Sequence, residues 1–334
     1  MSFKICLIGC GDLANSQHGP AILKYIEQNR DTDFIACCDI DENRARDFKD
    51  KFGLKRHYTD IHVMLDTEKP DAVSLICPEN KTAELSCLIM ERGYPLMLEK
   101  PPGLNGAQTR RMLEVAKQYD VPNQVAFNRR YIPLVHKLLE IISSTSNDDT
   151  MNEIMDIHYR MIRVNRRDID FAATAIHGID LVKYIAGAEY KEADFRYQEL
   201  PQYGEHVANI HINGIMTSGT VVHMDFLPMS GVVTERLEVN THKGLFRLEL
   251  PVWAYGHDMP GRITQIVNNE ITFTMTGSEL TGSTDEVMLN GFYHENESFF
   301  NDIRNGRKPP GDIISGLQSV EVADCINHRR TRYG

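Results

Sequence analysis

Long apolar runs, an excess of basic residues and a secretory leader are all missing from this sequence. No apolar run approaches the roughly 20 residues that a helix needs to cross a bilayer, so the sequence predicts no membrane span. The formal net charge is -11, which argues against nucleic acid or an anionic membrane as the main partner, because a phosphate-binding surface needs clustered Lys and Arg. The first residues lack the basic and apolar regions of a signal peptide, and we expect a cytoplasmic protein.

Cysteine motifs are missing as well. The seven cysteines form an odd set without any CxxC spacing, and we interpret them as small buried hydrophobes in a reducing compartment. No spacing of His, Cys and carboxylate residues indicates a metal site, so no metal is predicted. What is present is 334 residues with 42% hydrophobic and 25% charged content, which is typical of a globular chain with two domains.

The first third of the chain alternates short apolar runs with segments of helical periodicity. Strand-like runs lie at residues 4–8, 34–38, 72–77, 94–98 and 124–127, with helical segments between them. Because parallel strands need long crossovers, this alternation implies a doubly wound parallel sheet covered on both faces. We therefore predict an α/β domain over residues 1–128.

The pattern changes to a period of two after residue 130. Alternating runs at 154–162, 207–212, 220–226, 232–239 and 245–250 follow each other with few helices between them, which favours a mostly antiparallel sheet. A helix is predicted over 171–186, ending at Gly187. Residues 129–334 are therefore predicted to form an α+β domain, and one uncovered apolar sheet face would favour self-association.

A glycine motif follows the first strand directly. Residues Gly9-Cys10-Gly11-Asp12-Leu13-Ala14 fit the pattern G-x-G-x-x-G/A. The first Gly permits a tight turn, and the second removes a Cβ where the backbone must meet a pyrophosphate. The helix that follows offers N–H groups and a positive dipole end to phosphates. The sequence thus predicts dinucleotide binding, with phosphates at Gly9, Gly11, Asp12 and Leu13.

Asp39 closes the second strand, with Ile40 next to it, and would accept hydrogen bonds from the adenosine ribose. A 2′-phosphate there would meet like charge from Asp39 and Asp41, with only Arg44 nearby, so NAD is preferred over NADP. Because Asp39 lies further from the glycines than the usual spacing of about 20 residues, we expect residues 15–30 to contain a longer first helix. The alternative is that Asp39 only caps or solvates a strand end.

Further landmarks continue the series along the chain: Gly9-Cys10-Gly11, Asp39, Pro78, Glu99-Lys100-Pro101, Arg130 and His177-Gly178-Ile179-Asp180. In this order they resemble the glucose-fructose oxidoreductase, inositol dehydrogenase and rhizopine catabolism (Gfo/Idh/MocA) family over nearly the whole chain. The resemblance implies an N-terminal Rossmann domain and a C-terminal α+β domain whose large open sheet often forms the subunit interface, as a homodimer or homotetramer. It also implies oxidation or reduction of a carbinol on a sugar, inositol or related small polar substrate, with NAD or NADP.

Lys100 follows a strand at its carboxyl end, where doubly wound sheets place their ligands. It would hydrogen-bond the substrate oxygen that loses or gains hydride and so stabilise developing negative charge. Similar proteins often have a cis Lys–Pro bond at this position. The alternative for a lone Lys is a solvated surface cation.

His177 and Asp180 lie at i and i+3 on the predicted 171–186 helix and can project together. His177 would be the general base that removes the hydroxyl proton, and Asp180 would orient the imidazole or bind substrate. The alternative is a structural pair of His177 with Asp180.

Weaker hypotheses concern residues near these landmarks. At the end of the third strand, the residues expected to line the nicotinamide ribose are Cys77, Pro78, Glu79 and Asn80, and Asn128 and Glu99 are expected to contact the cofactor. Beyond a strand end in the second domain, the residues expected to reach substrate are Arg163, Asn165 and Arg166, with a solvated loop as the alternative for the arginines. The residues expected to form a wall of the pocket are Trp253, Tyr255 and His257.

Two positions depart from the family pattern. Many similar enzymes have an Asp one turn before the histidine, where this chain has Ala173, and a frequent His after the third strand is Thr82 here. The sequence therefore leaves a second hypothesis open, a non-catalytic dinucleotide-binding sensor or regulatory protein of the same fold.

Overall fold

The computed structural model describes residues 2–144, 154–168, 170–252 and 259–334. Two compact units emerge from the contacts within the chain: Met1–Phe127 with Phe292–Val320, and Asn128–Gly291 with Glu321–Gly334. The predicted boundary after residue 128 lies next to the first break. The prediction of one uninterrupted second domain to residue 334 differs from this division, because the chain returns to the first unit at Phe292.

The first unit contains a six-stranded parallel sheet in the order β3-β2-β1-β4-β5-β6, counted over the described residues. This is the doubly wound order, in which successive strands are added on one side of β1 up to β3 and on the other side from β4 onward. The prediction from alternation is confirmed. Its elements are β1 (Phe3–Ile8), a π-helical turn (Ala14–His18), α1 (Gly19–Gln28), β2 (Thr32–Cys38), α2 (Glu42–Phe52), β3 (Arg56–Tyr58), α3 (Ile61–Glu68), β4 (Ala72–Leu75), α4 (Glu79–Glu91), β5 (Leu96–Glu99), α5 (Gly106–Gln118) and β6 (Asn123–Ala126).

The second unit is built on a nine-stranded sheet, among the residues that the structure describes, in the order β14-β13-β12-β11-β7-β10-β9-β8-β15. Every neighbouring pair is antiparallel except β7 with β10, so the predicted mostly antiparallel sheet is confirmed. The elements after β6 are a 3-10 turn (Asn128–Tyr131), α6 (Pro133–Ser144), β7 (Ile154–Ile162), α7 (Ala172–Ala186), β8 (Tyr190–Glu199), β9 (Ala208–Met216), β10 (Val221–Leu227), β11 (Thr234–Thr241), β12 (Gly244–Glu249), β13 (Arg262–Val267), β14 (Glu270–Thr276), α8 (Gly277–Thr281), α9 (Glu286–Leu289), α10 (Phe292–Arg304), α11 (Ile313–Asn327) and β15 (Arg332–Tyr333).

Local sequence explains several element ends. The side chain of Asp41 accepts hydrogen bonds from the second and third N–H groups of α2, and Gly53 ends this helix in the left-handed conformation with φ 68°. Asn105 caps α5 by accepting from Gln108 N, as its position predicts. The π-helical turn and α1 together occupy most of residues 15–30, which confirms the longer first helix and accounts for the spacing to Asp39.

Helix α10 belongs to the first unit because its apolar side chains cover α1 and β1. The ring of Phe300 lies 5.1 Å from that of Tyr25 and 6.3 Å from that of Phe3, measured between centroids. The Tyr25 hydroxyl also donates to Asn301 Oδ1 at 2.9 Å. Periodicity is a local signal, so it carries no information about which sheet this helix covers.

The outward face of the nine-stranded sheet is largely polar. Along β7, Tyr159 is buried whereas His158 and Arg160 on either side of it point outward, and the register places His223 opposite His158. Asp225 on the same face accepts from His211 Nδ1 at 2.6 Å. The expectation of an uncovered apolar face is therefore wrong for these central strands. No helix among the described residues is long and apolar enough to span a bilayer.

Candidate active site

The carboxyl ends of β1 and β4 lie side by side at the point where the strand order of the parallel sheet reverses. Gly9 follows β1 with φ +92°, and an added Cβ would lie 1.9 Å from the backbone oxygen of Ile76, just after β4. Its N–H donates to Cys38 O at 2.8 Å. A Cβ on Gly11, by contrast, would have no atom within 4 Å. Gly9 is thus required by the fold, whereas Gly11 leaves open the space that a close backbone contact to a ligand needs.

The carboxylate of Asp39 holds the glycine loop against the end of β2. One oxygen accepts from Cys10 N at 2.7 Å and the other from Asp41 N at 2.9 Å. On the other side of the loop, the side-chain amide of Asn15 donates to Cys10 O and Gly11 O. Ile40 is 95% exposed. The negative charge of Asp39 is therefore fixed beside the loop, where the sequence predicts an adenosine ribose.

The residues after β4 open helix α4, with Pro78 at its N-cap. Pro78 and Asn80 are exposed, and Cys77 and Glu79 are half-buried. Thr82 is buried, with its hydroxyl 3.6 Å from Cys77 Sγ, and burial raises the pKa of that thiol. The predicted cofactor residues of this segment therefore share the edge of the sheet with the glycine loop.

Glu99, Lys100 and Pro101 follow the neighbouring strand β5, and the Lys100–Pro101 peptide bond is cis, as the resemblance implies. Glu99 is buried, and its carboxylate contacts His18 Nε2 at 2.7 Å and accepts from Lys100 N at 3.1 Å. Lys100 is half-buried. Sequence reasoning missed His18. A polar residue on the buried side of the first helix was the signal that could have found it.

Helix α7 carries His177 and Asp180 in the second unit. Asp180 is buried, and its two oxygens accept from Arg130 Nε at 2.7 Å and Nη2 at 2.5 Å. The sequence analysis predicted that Asp180 would orient the His177 imidazole or bind substrate, and it did not consider Arg130 as a partner of Asp180. The ion pair therefore corrects the interpretation of Asp180 towards structural support, while its catalytic role stays a prediction. His177 is half-buried.

Arg163 takes part in a buried ion-pair cluster. Glu235 accepts hydrogen bonds from Arg163, from both Nε and Nη2 of Arg129, and from the Tyr159 hydroxyl at 2.6 Å. Burial by itself would raise the pKa of Glu235, but the Arg129 and Arg163 charges outweigh it and hold that pKa well below its usual range. Because this cluster occupies the Arg163 guanidinium, the expected substrate contact of Arg163 has no support here.

The other predicted substrate and cofactor residues of the second unit have local partners. Arg166 pairs with Asp168 at 2.7 Å, and Asn165 Oδ1 accepts from Arg167. The Asn128 amide donates to Asn290 O at 2.9 Å, a contact that explains this side chain without a cofactor. Trp253, Tyr255 and His257 lie outside the described residues. Within the described ranges, no cluster of three or more His, Cys, Asp or Glu could hold a metal ion.

Comparison with known proteins assigns the glycine loop to a family. Residues 3–127 match the family model GFO_IDH_MocA, which is described as an oxidoreductase family with an NAD-binding Rossmann fold. The chain is 29% identical over 202 residues to a myo-inositol 2-dehydrogenase of Thermotoga maritima, a match that covers 57% of this chain and 56% of that protein. It is 27% identical over 141 residues to a D-glucoside 3-dehydrogenase of Escherichia coli, covering 42% and 39%. The chain therefore matches about half the length of these relatives or less.

Solved structures share the fold over nearly the full length. A dehydrogenase from Chromobacterium violaceum aligns with a TM-score of 0.82 at 20% identity, covering 97% of this chain and 94% of that one. A Gfo/Idh/MocA family oxidoreductase from Vibrio cholerae aligns with a TM-score of 0.80 at 18% identity, covering 98% of both chains. The fold and its glycine loop are those of the Rossmann class. Residues 3–127 thus match the model of the Gfo/Idh/MocA oxidoreductase family, which confirms the resemblance seen in the sequence.

Proposed function

We propose that the chain is an NAD-dependent dehydrogenase that transfers a hydride between nicotinamide and a carbinol or carbonyl group. The substrate class is a sugar, an inositol or a related small polar molecule, as the names of the inositol and glucoside dehydrogenase relatives suggest. The observation that carries this proposal is the loop at the sheet reversal, where Gly11 has open space at its Cβ position and Asp39 fixes the loop backbone.

The residues of the first unit fit a dinucleotide. The backbone at Gly9, Gly11, Asp12 and Leu13 would bind the pyrophosphate at the start of a helix, and Asp39 with Ile40 would hold the adenosine end. Cys77, Pro78, Glu79, Asn80 and Glu99 would line the nicotinamide end, and Asn128 is a further predicted contact. The bound cofactor supplies the hydride acceptor or donor.

Proton transfer is assigned to the chain's own side chains. In the direction of oxidation, the His177 imidazole would take the hydroxyl proton as general base. The Lys100 ammonium would donate a hydrogen bond to the substrate oxygen that loses or gains hydride and stabilise the negative charge that develops on it. Asp180, held by Arg130, would support the helix that presents His177. Arg163, Asn165 and Arg166 stay weaker candidates for substrate contact.

Lys100→Ala and His177→Ala test these roles. Each substitution is expected to lower turnover by about two to four orders of magnitude, the usual worth of a positioned proton-transfer group, with NAD affinity nearly unchanged. Turnover is measured as NAD reduction with a panel of inositols, sugars and sugar acids. Lys81→Ala, which removes an exposed lysine paired with Glu84, is the matched control. Wild-type rates in both active-site variants would exclude the assignment.

Cofactor choice is tested at Asp39. The wild-type chain is expected to bind NAD more tightly than NADP, because a 2′-phosphate would meet the fixed carboxylate. Asp39→Asn removes the charge but keeps an oxygen that can accept from Cys10 N, so NAD affinity is expected to fall and the discrimination against NADP to narrow by about tenfold or more. Titration with both dinucleotides measures the ratio, and a clear NADP preference of the wild-type chain would contradict the proposal.

Ala173 favours a second candidate, a dinucleotide-binding sensor or regulatory protein without catalysis. At 8% exposure it places a methyl group one turn before His177 on the helix, where a carboxylate is expected of many similar enzymes. Tight NAD binding with no turnover across a broad substrate panel would favour the sensor.

Self-association through the sheet of the second unit, as a homodimer or homotetramer, is also proposed, together with a cytoplasmic location. Sedimentation of the wild-type chain and of a charge-reversal variant at Arg160 tests the first of these. Arg160 points outward at the centre of the sheet, and an unchanged distribution would argue against this surface.

A further inference from the structure

A carboxylic acid lies buried in the first unit without a hydrogen-bond partner. Glu295 on α10 is 0% exposed, and neither oxygen of its side chain has a partner among the described residues. The helix itself is held in place, because its backbone oxygen at Glu295 accepts from Gln124 Nε2 at 2.9 Å. An ionised carboxylate in such a position would have a large desolvation cost, so this geometry requires a neutral acid.

The next residue on the helix determines the proton position on His18. Asn296 Nδ2 donates to Phe292 O at 2.8 Å and to His18 Nδ1 at 3.3 Å. A carbonyl oxygen only accepts, so the amide atom beside Phe292 O must be the nitrogen, and His18 Nδ1 must accept from it. The imidazole proton is therefore on Nε2, where His18 donates to Glu99 at 2.7 Å.

Of the two carboxyl groups, Glu99 and Glu295, Glu99 is consequently the ionised one. Its first oxygen accepts from His18 Nε2, and its second accepts from the N–H of Lys100 at 3.1 Å. Two donors compensate the buried charge of Glu99, whereas Glu295 has none. The titratable group whose charge acts on Glu295 is Glu99 from β5, and His18 of the π-helical turn contacts Glu99 in turn. The polar neighbours of Glu295 are Gln124, which donates to its backbone oxygen, and Asn296, the next residue on the helix.

We propose that Glu99 and Glu295 form a pair of buried carboxyl groups that holds one proton, carried by Glu295. The end of β5 then has a single fixed negative charge, on the residue that precedes Lys100 and accepts from its backbone N–H. Glu295 is a positioning residue that acts through Glu99, and this role rests on the proposed function only in taking Lys100 as the group that meets substrate. Burial, and in addition the charge of Glu99, raise the pKa of Glu295 well above its usual range.

Loss of the Glu295 proton has a defined consequence. A second negative charge would then appear near Glu99. It would attract the Nε2 proton of His18 and offset part of the positive charge of Lys100. The site is therefore expected to lose its charge balance on the basic side of neutral pH.

Infrared spectroscopy tests the pair without any enzyme assay. The wild-type chain is expected to show the carbonyl stretch of a protonated carboxylic acid at neutral pH, and Glu295→Gln is expected to remove it. Glu297→Gln is the matched control on the same helix, because the Tyr293 hydroxyl donates to Glu297 at 2.7 Å and His294 Nδ1 lies 3.6 Å from its other oxygen. The interaction with His294 lowers the pKa of that carboxyl. The band must survive in this control. A band that persists in Glu295→Gln, or no band in the wild-type chain, would overturn the proposal.

Glu99→Gln tests the coupling and remains informative even if Glu295→Gln does not fold. Removing the neighbouring charge is expected to move the loss of the Glu295 band to a lower pH than in the wild-type chain. An unchanged pH of loss would show that the two carboxyl groups do not share a proton.

Ligand binding supplies the readout that a merely structural role would not change. NAD affinity, and turnover where it is found, should fall as the pH rises through the loss of the band, and Glu295→Gln should lack this basic decline while Glu297→Gln keeps it. A basic decline that is equal in all three proteins would refute the positioning role. If no NAD binding is found at all, the proposed function fails, whereas the infrared result still decides whether the pair holds one proton.

Discussion

Gly9 and Gly11 have different physical roles although a single residue separates them in one motif. Gly9 has a φ of +92°, and a Cβ there would be 1.9 Å from a backbone oxygen of the neighbouring segment, so the fold itself requires glycine at this position. A Cβ on Gly11 would have no atom within 4 Å, so the requirement for glycine there would come from a bound ligand. The sequence motif alone does not distinguish these roles, because it shows the same residue type at both positions.

The two glycines give a paired prediction at the residue scale. Gly9→Ala is expected to lower the free energy of unfolding by at least about 2 kcal/mol, from backbone strain and overpacking. Gly11→Ala is expected to leave that free energy within about 0.5 kcal/mol, as for substitutions without a steric conflict, while NAD affinity falls by about tenfold or more. Thermal unfolding and NAD titration measure both. Tight NAD binding by Gly11→Ala would mean that the pyrophosphate does not approach this backbone.

At the scale of elements, Glu235 connects β11 to β7 and to the 3-10 turn that opens the second unit. Its partners come from three separate segments, since Tyr159 lies on β7, Arg163 follows that strand and Arg129 belongs to the turn. No sequence pattern predicted this cluster, because the four residues are separated by up to about a hundred positions and a buried charge is recognisable only from its surroundings.

Glu235→Gln is expected to destabilise the chain by about 3–5 kcal/mol at neutral pH, because two buried guanidinium groups lose their counter-charge. The folded-state pKa of Glu235 is lowered, so its contribution is present above the unfolded-state pKa and is lost as the pH falls through the folded-state value. The variant should therefore lose part of the acid dependence of stability. Denaturant titration over a range of acidic pH measures both effects.

Glu238→Gln is the control for this experiment on the same strand. Glu238 points outward and pairs with Arg247 at the surface, where ion pairs contribute about 0–1 kcal/mol. If the two variants lose equal stability, the cluster around Glu235 does not support the second unit in the way described.

At the scale of the whole molecule, the first unit is built from two separate stretches of sequence. The sequence predicted a self-sufficient domain over residues 1–128, but α10 covers α1 through the contacts of Phe300 with Tyr25. Glu295 and Asn296 on α10 also complete the cluster around Glu99. The C-terminal helices are therefore part of the structure that positions the glycine loop.

A fragment of residues 1–128 is accordingly expected to unfold without a cooperative transition and to bind NAD weakly, because the apolar faces of α1 and β1 would be exposed. A chain that joins residues 1–128 to 292–320 through a flexible linker should recover both properties. Thermal unfolding and NAD titration compare the two. Cooperative unfolding of the short fragment with full NAD affinity would show that α10 is dispensable.

The sequence by itself determined the elements whose signals are local: the alternation that makes a doubly wound sheet, the period of two in the second unit, the helix end at Gly187, and the glycine loop with Asp39. It missed β8, β13 and β14, whose exposed and charged residues weaken the period-two pattern.

Only the tertiary structure decided which distant side chains meet. In the folded chain Asp180 pairs with Arg130, Arg163 with Glu235, and Glu99 with His18. The charge of Glu99 also acts on Glu295. The physical reason is that hydrophobic periodicity and turn chemistry act over a few residues, whereas the partner of a buried charge is chosen by the packing of segments that are far apart in the chain.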